Sequence, residues 1–153
     1  MSSVSIQAVS RVFETAKGQR TQALQPVDFE VRDNDFVTIL GPSGCGKSTL
    51  LRIVAGLDHA TSGRVLLDGV PVEGPGADRG MVFQSYTLFP WLTIEQNIRF
   101  GLRERGMPEA QQKERAAYFI AKVGLRGFEQ HFPKQLSGGM QQRTAIARAL
   151  AND

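Results

Sequence analysis

Residues 36–56, FVTILGPSGCGKSTLLRIVAG, decide the fold. They open with a short apolar run at residues 36–40 that is rich in β-branched side chains and has the length of a buried strand. A glycine-rich stretch follows, and a helical pattern then runs from Lys47 to a stop near Gly56. Four apolar residues are expected on one side of this helix: Leu50, Leu51, Val54 and Leu57. The segment therefore predicts a strand, a glycine loop and a helix in succession.

The glycine loop at residues 41–48, GPSGCGKS, matches the pattern G-x-x-x-x-G-K-[ST] in full. Glycines let the backbone amides turn inward, where they and the positive end of the helix dipole surround phosphate oxygens. Lys47 adds a positive charge at the β- and γ-phosphates, and the Ser48 hydroxyl suits a Mg²⁺ ion. The predicted phosphate-binding residues are Gly41, Pro42, Ser43, Gly44, Cys45, Gly46, Lys47, Ser48 and Thr49.

Strand patterns flank this unit on both sides. Residues 4–13 and 27–31 are predicted strands, joined by a hairpin loop at residues 17–22. Farther along, the run GRVLLDGVPV at residues 63–72 is interrupted by Asp-Gly, a pair typical of a tight hairpin turn. A further short strand is expected at residues 81–83. These patterns predict a mixed α/β core.

The pattern becomes helical from Thr93. Thr93 and Gln96 have the spacing of a reciprocal capping box, and the apolar residues Ile94, Ile98 and Leu102 share one helix face. A second helix is predicted from about residue 108 to residue 124. We therefore expect a helical insert after the core.

The second informative motif is LSGGMQQR at residues 136–143. Its serine is a good N-cap, and two glycines in a first turn weaken a helix but let another molecule approach its backbone. Taken alone, the motif also fits an ordinary capped helix that tolerates a glycine pair. It resembles the LSGGQ signature of ABC ATPases, and the TAIARALAND that follows resembles the helix continuing that signature. Met140 stands where glutamine is commoner.

This resemblance implies a head-to-tail dimer of ATP-binding subunits, in which the signature of one faces the phosphate loop of the other. The signature residues implied to contact ATP are Ser137, Gly138, Gly139, Met140 and Gln141. Gln84 matches the family's Q-loop glutamine, which contacts Mg²⁺ or water and takes part in catalysis, and Ser48 is the other implied Mg²⁺ ligand. Phe13 lies where the family stacks an aromatic ring on adenine, although a strand-core role is equally compatible.

The implied fold is the α/β P-loop NTPase core of an ABC ATPase, with an antiparallel β subdomain and an inserted helical subdomain, incomplete at its C-terminus. The expected division is residues 1–87 for the nucleotide-binding core, 88–135 for the helical subdomain and 136–153 for the signature and its helix. Hydrolysis needs an acid that holds Mg²⁺ and a group that orients water. Asp68 is followed by Gly69 and precedes the signature, so it does not match the family's Walker B aspartate.

We therefore expect Walker B, the catalytic glutamate and the switch histidine to lie beyond residue 153, since His59 and His131 do not match the switch context. The chain by itself is expected to lack ATPase activity and to fold poorly or aggregate.

Residues 73–102 resemble the importer branch that serves nitrate, aliphatic sulfonates and taurine, most clearly in GPG-x-x-RG and in the FPW at residues 89–91. In this family the FPW neighbourhood receives a transmembrane permease subunit, although packing within the helical insert is an alternative. The implied partners are a permease and, indirectly, a substrate-binding protein, at the cytoplasmic face of the cell membrane. A soluble ABC ATPase without a membrane partner and a catalytically silent ATP-binding fragment remain alternatives, and a small-molecule kinase is a more distant one.

Composition excludes several other classes. The 153 residues are 41% apolar and 22% charged, as expected for an ordinary globular domain. The net charge of +3 is dispersed along the chain, which argues against a nucleic-acid partner. No apolar run approaches the roughly 20 residues of a membrane-spanning helix, no secretory signal is recognisable, and Cys45 is the single cysteine, so we expect a cytosolic chain without disulfides.

Overall fold

The computed structural model describes residues 3–152. The chain forms two compact units, Met1–Gly76 and Ala77–Asp153. The elements in chain order are β1 (Val4–Glu14), β2 (Arg20–Val31), α1 (Lys47–Val54), β3 (Ser62–Leu67), β4 (Val70–Pro71), α2 (Ile94–Glu104), α3 (Glu109–Lys122), a 3-10 turn (Pro133–Gln135) and α4 (Gly138–Ala151). The three-part division expected from the sequence stays a prediction.

The first unit contains an antiparallel sheet in the order β2-β1-β3-β4. The strands predicted at residues 4–13 and 27–31 are confirmed as parts of β1 and β2. The predicted loop at residues 17–22 is too long at its C-terminal end, because Thr21 and Gln22 already pair with β1. The hairpin between β3 and β4 turns at Asp68 and Gly69, whose φ angles of 51° and 80° are those a tight turn requires, as predicted.

Helix α1 packs against this sheet through a different face from the one predicted. Leu50 and Ile53 are buried, whereas Leu51 and Leu57 are 48% and 45% exposed. The reason is geometric: successive helical residues are about 100° apart, so Leu51 cannot share the direction of Leu50. The helix ends before Gly56, as predicted, and Gly56 itself has a φ of +72°. The core of this unit consists of Ile6, Val9, Leu24, Leu50, Ile53 and Val65.

Two strand predictions are wrong. Neither residues 36–40 nor residues 81–83 belong to a strand, and Phe36 and Leu40 are 96% and 87% exposed. A strand is stabilised by a ladder of hydrogen bonds to a neighbour. Within residues 3–152 the sheet contains only β1 to β4, and neither segment is paired into it. Apolar composition alone therefore does not make these residues strands.

The second unit is built from α2, α3 and α4. Its capping box is confirmed, since Gln96 N donates to Thr93 Oγ1 at 3.3 Å and Thr93 N donates to Gln96 Oε1 at 2.9 Å. The predicted buried face of α2 and the extent of α3 are confirmed as well. No helix within residues 3–152 combines the length and apolarity needed to cross a membrane. The core consists of Ile94, Ile98, Ala116, Ile120, Leu125, Leu136, Ala147 and Ala151.

Candidate nucleotide-binding elements

Lys47 closes the glycine loop of the first unit. Its Nζ donates to the carbonyl oxygens of Gly41 and Pro42 at 2.8 and 2.7 Å, and lies 3.5 Å from Cys45 Sγ. An ammonium group has three N–H donors, and thiol sulfur is a weak acceptor. The contact with Cys45 Sγ is therefore the weakest of the three. The carbonyl oxygens of the loop itself hold the charge of Lys47 in place.

The glycines of this loop are required by its shape. Gly46 has a φ of +95°, and a Cβ built on it would lie 2.4 Å from the carbonyl oxygen of Ala23 in β2. A Cβ on Gly41 would lie 2.7 Å from Cys45 Sγ. Gly44 has a φ of +82° but has open space beside it. The loop thus packs tightly against its own unit on one side and remains open at Gly44, as a phosphate cradle requires.

The remaining predicted residues of this loop region lie near the start of α1. Ser48 is exposed, Thr49 is partly buried, and Leu50 N donates to Gly46 O at 2.9 Å, which closes the first helical turn. The exposed Pro42 and Ser43 form the outer part of the loop. The Ser48 hydroxyl is therefore accessible at the helix N-terminus.

The charges in the first helical turns differ between helices. Glu95 and Glu109 lie in the first turns of α2 and α3. The first turns of α1 and α4, residues 47–50 and 138–141, carry one charged side chain between them, the lysine of the glycine loop. Carboxylates near an N-terminus offset the helix dipole, so α1 and α4 keep the positive N-terminal field that favours an external anion.

Phe13 lies on β1 in the same unit as the loop. Its ring is 43% exposed, so it is not a core residue of the sheet. The Arg11 guanidinium lies 4.6 Å from the ring centroid and forms an ion pair with Asp58 at 2.7 Å. Part of the ring remains accessible for stacking. Its role as an adenine contact stays a prediction.

The signature motif forms the start of α4, in the second unit. Ser137 is its N-cap and its Oγ accepts from Met140 N at 3.3 Å, as its residue type predicts. Gln141 turns inward, where its Nε2 donates to the carbonyl oxygens of Pro133 and Leu136 at 3.0 and 3.2 Å. This side chain therefore secures the entry to α4 rather than extending into solvent.

The two signature glycines are exposed and uncrowded. A Cβ on Gly138 would meet Tyr86 Oη at an ordinary 3.6 Å, and a Cβ on Gly139 would meet nothing within 4 Å among the described residues. Both have helical backbone, which any residue can adopt. Packing within this unit therefore does not require glycine at either position.

Gln84 is exposed in a turn of the second unit. The residues behind it have unusual backbone: Tyr86 and Thr87 have φ angles of 59° and 43°, in a region that non-glycine residues rarely enter. Arg148 of α4 contacts this segment through Thr87. Sequence reasoning identified Gln84 but not these two features, because neither has a local motif.

Asn97 is a second residue that sequence reasoning missed. It is fully buried on α2, and its Oδ1 accepts from Phe89 N at 2.8 Å. Its Nδ2 lies within hydrogen-bonding distance of three carbonyl oxygens, those of Phe89 at 3.1 Å, Leu92 at 3.0 Å and Thr93 at 3.0 Å. One side chain thus fixes the FPW loop. A buried polar residue between Ile94 and Ile98 was the available sequence signal.

The FPW loop presents one large ring to solvent. Trp91 is 70% exposed, and Phe89 packs against it and against Phe100, with ring centroids 5.7 and 4.5 Å apart. Trp91 is therefore displayed on a fixed backbone, whereas Phe89 packs against α2, as the alternative interpretation of this loop predicted.

Metal binding would have to depend on few protein ligands. The part of the chain that the structure describes, residues 3–152, contains no group of three or more His, Cys, Asp or Glu side chains arranged to hold a metal ion. Mg²⁺ in nucleotide sites is usually bound by substrate phosphates, waters and one or two protein oxygens. The exposed Ser48 hydroxyl fits that pattern.

Comparison with known proteins identifies the class. Residues 24–153 match the ABC transporter family, and the chain belongs to this family. A dimeric structure of a post-hydrolysis state of the ATP-binding cassette MJ0796, bound to ADP and Pi, superimposes with a TM-score of 0.88 at 36% identity. It covers 97% of this chain, which covers 69% of that one. The predicted ABC ATPase fold is therefore confirmed.

Relatives among curated proteins narrow the class. The chain is 57% identical over 97% of its length to an uncharacterised ABC transporter ATP-binding protein of Methanocaldococcus jannaschii. It is 50% identical over 94% to the nitrate import protein NrtD of Synechocystis and 46% identical over 100% to the taurine import protein TauB of Pelagibacter ubique. The chain spans 55%, 53% and 58% of these relatives, just over half their length. The predicted resemblance to the nitrate and taurine branch is confirmed.

Proposed function

We propose that this chain is the nucleotide-binding part of an ABC importer subunit that binds and hydrolyses ATP with Mg²⁺. The observation that supports it most is the glycine loop, in which Lys47 is held over two carbonyl oxygens while Gly44 leaves the cradle open. The phosphoanhydride bond of ATP supplies the chemical energy when the nucleotide is bound. The loop binds and orients its phosphates, and the Ser48 hydroxyl is a ligand for Mg²⁺.

A complete site in this proposal requires a second copy of the subunit in a head-to-tail dimer. The support is the exposed N-terminus of α4, where Ser137 caps the helix and Gly138 and Gly139 keep the surface clear. Phosphate oxygens would be approached by the loop of one copy and the signature of the other. ATP would thereby hold two copies together, and hydrolysis would release them. Gln84, which lies in the second unit, would link that unit to this cycle.

The transported substrate in this proposal is a small anion such as nitrate, an alkanesulfonate or taurine. It rests on the likeness to the nitrate and taurine import proteins and on the FPW loop. Trp91 is an aromatic anchor of the kind that fills a partner's groove, and the proposed partner is a permease at the cytoplasmic face of the membrane. Co-purification with a multi-helix membrane protein supports this reading, and its absence favours a soluble ABC ATPase.

Nucleotide binding tests the proposal directly. The protein, in the longest form its gene encodes, is titrated with a fluorescent ATP analogue and Mg²⁺. Lys47→Ala is expected to weaken binding about 10- to 100-fold, because a charge-assisted hydrogen bond contributes about 1.5–3 kcal/mol. Lys17→Ala, in an exposed turn of the same unit, is the matched control and keeps full affinity. Equal binding by both variants contradicts the proposal.

A further inference from the structure

The segment that follows Gln84 has a backbone that needs external support. Tyr86 and Thr87 both have positive φ angles, a backbone conformation that is energetically unfavourable for residues other than glycine. Two local hydrogen bonds brace the segment, from Tyr86 N to Phe83 O at 3.1 Å and from Thr87 N to Ser85 O at 2.7 Å, but both are made within the turn itself. Such a conformation persists only where the surroundings impose it.

Arg148 of α4 provides that support. Its guanidinium donates to Thr87 O at 3.0 Å and to Thr87 Oγ1 at 3.3 Å, and its central carbon lies 5.5 Å from the ring centroid of Phe89. Burial lowers the pKa of the Arg148 guanidinium from its ordinary value, although it remains charged. Partial removal from water strengthens its hydrogen bonds. The two terminal nitrogens of the guanidinium reach both oxygens at once.

The position of Arg148 on its helix gives this contact a further meaning. Ser137, the N-cap of the signature, begins the same uninterrupted helix, which rises about 1.5 Å per residue. The other side of the segment is fixed, since Asn97 of α2 holds both the N–H and the carbonyl of Phe89. The contact of Arg148 with Thr87 therefore gives a displacement of the signature a polar route along α4 to the segment that follows Gln84.

We propose that Arg148 is a positioning residue that couples the signature end of α4 to Gln84 by holding Thr87. This inference rests on the proposed function. In the proposed function the glycine loop of the first unit binds ATP within each single copy, so loss of the coupling leaves the nucleotide affinity of that copy intact. In the proposed function, turnover requires Gln84 and the signature to keep their relative positions, so loss of the coupling lowers kcat.

The test uses the protein in the longest form its gene encodes. Arg148→Gln is expected to lower kcat for ATP hydrolysis about tenfold or more, since small misplacement of reacting groups has such effects, and to change the nucleotide Kd less than about twofold. Arg143→Gln is the matched control: Arg143 lies on the same helix and donates to Val123 O at 2.9 Å, away from the segment behind Gln84. It should leave kcat unchanged.

Thr87 supplies a second pair of variants that should fold, because this residue is exposed. Thr87→Val removes the hydroxyl acceptor and is expected to lower kcat by a smaller factor than Arg148→Gln does. Thr87→Ser keeps the hydroxyl and is expected to have the kcat of the wild type. In the Arg148→Gln background, Thr87→Val adds no further loss. Equal losses from the Arg143 and Arg148 variants, or additive losses from Arg148→Gln and Thr87→Val, overturn the coupling.

Hydrogen exchange separates this inference from the proposed function. Arg148→Gln is expected to speed amide exchange at residues 84–89, and Arg143→Gln is not. If the wild-type protein neither binds nor hydrolyses ATP, the proposed function fails, and this exchange experiment still decides whether Arg148 holds the segment. Unchanged exchange in the Arg148 variant overturns the inference whatever the activity.

Discussion

The molecule has two glycine-bearing helix starts, and their glycines serve different purposes. In the phosphate loop, Gly46 has a left-handed backbone and no room for a Cβ beside β2. In the signature, Gly138 and Gly139 have ordinary helical backbone and ample room. Both helices keep their N-terminal field free of carboxylates. The first set of glycines builds its own loop, whereas the second set has no structural purpose inside the unit that carries it.

The difference shows how a glycine can be interpreted from structure. Where a Cβ collides with the same unit, stability explains the residue. Where it meets only solvent, a glycine in a helix is a net cost in backbone entropy, and packing within the unit does not explain it. The signature glycines therefore leave room for the contact that the proposed dimer would make there.

The largest effect is expected from Gly46→Ala. The substitution combines a left-handed backbone with a Cβ 2.4 Å from Ala23 O, so it should cost about 2–4 kcal/mol and also abolish nucleotide binding. Urea unfolding and titration with a fluorescent ATP analogue measure the two losses. Gly44→Ala has only the backbone strain, since its site is open, and should be less destabilising. Equal destabilisation by the two variants would show that the close approach of Ala23 O to Gly46 does not matter for stability.

Gly139→Ala should have the opposite effect on stability. Alanine favours helix over glycine by up to about 1 kcal/mol, so the unfolding midpoint should rise or stay unchanged. ATP-driven self-association, followed by light scattering with and without Mg²⁺-ATP, should be lost if another copy approaches this backbone. A destabilised variant that still associates would show that the glycine serves its own unit after all.

The smallest effect concerns a helix start that does carry a carboxylate. On α3, the pKa of Glu109 is lowered mainly by Lys113, which donates a hydrogen bond to it at 2.9 Å and carries a positive charge. The hydrogen bond and charge of Arg99 lower this pKa further. Because the pKa is lowered in the folded state, the ionised carboxylate stabilises the fold at pH values above its ordinary pKa of 4.5. This stabilisation is lost as the pH falls through the folded-state pKa.

Glu109 is exposed, so the contribution should be small and sensitive to salt. Glu109→Gln is expected to lower the Tm slightly at pH 7 and to match the wild type in acid. Thermal unfolding across this pH range measures it. A gap between the two proteins that persists in acid would assign the effect to packing instead of charge.

Local chemistry made much of the fold predictable. The capping box of Thr93 and Gln96 and the Asp68-Gly69 turn are encoded by neighbouring residues, and each was predicted correctly. The strand predicted at residues 36–40 was wrong because a strand depends on a distant partner, which no local pattern specifies. Apolar character predicts burial, yet Phe36 is almost fully exposed.

The candidate site divides in the same way. The phosphate loop was predictable because its shape follows from contiguous glycines and one lysine. Asn97 and Arg148 were not, because their importance comes from contacts with residues 4 to 61 positions away along the chain. A lone asparagine or arginine on a helix has many possible roles, and only the folded arrangement selects one.

Asn97 gives the FPW loop a defined shape without any regular secondary structure. The backbone from Phe89 to Thr93 is held by the amide of one side chain, while the rings of Pro90 and Trp91 take no part in those bonds. Displayed side chains and supporting scaffold are thus encoded separately. Residues at the tip can therefore be exchanged, which changes the surface that the loop presents, while the loop keeps its shape.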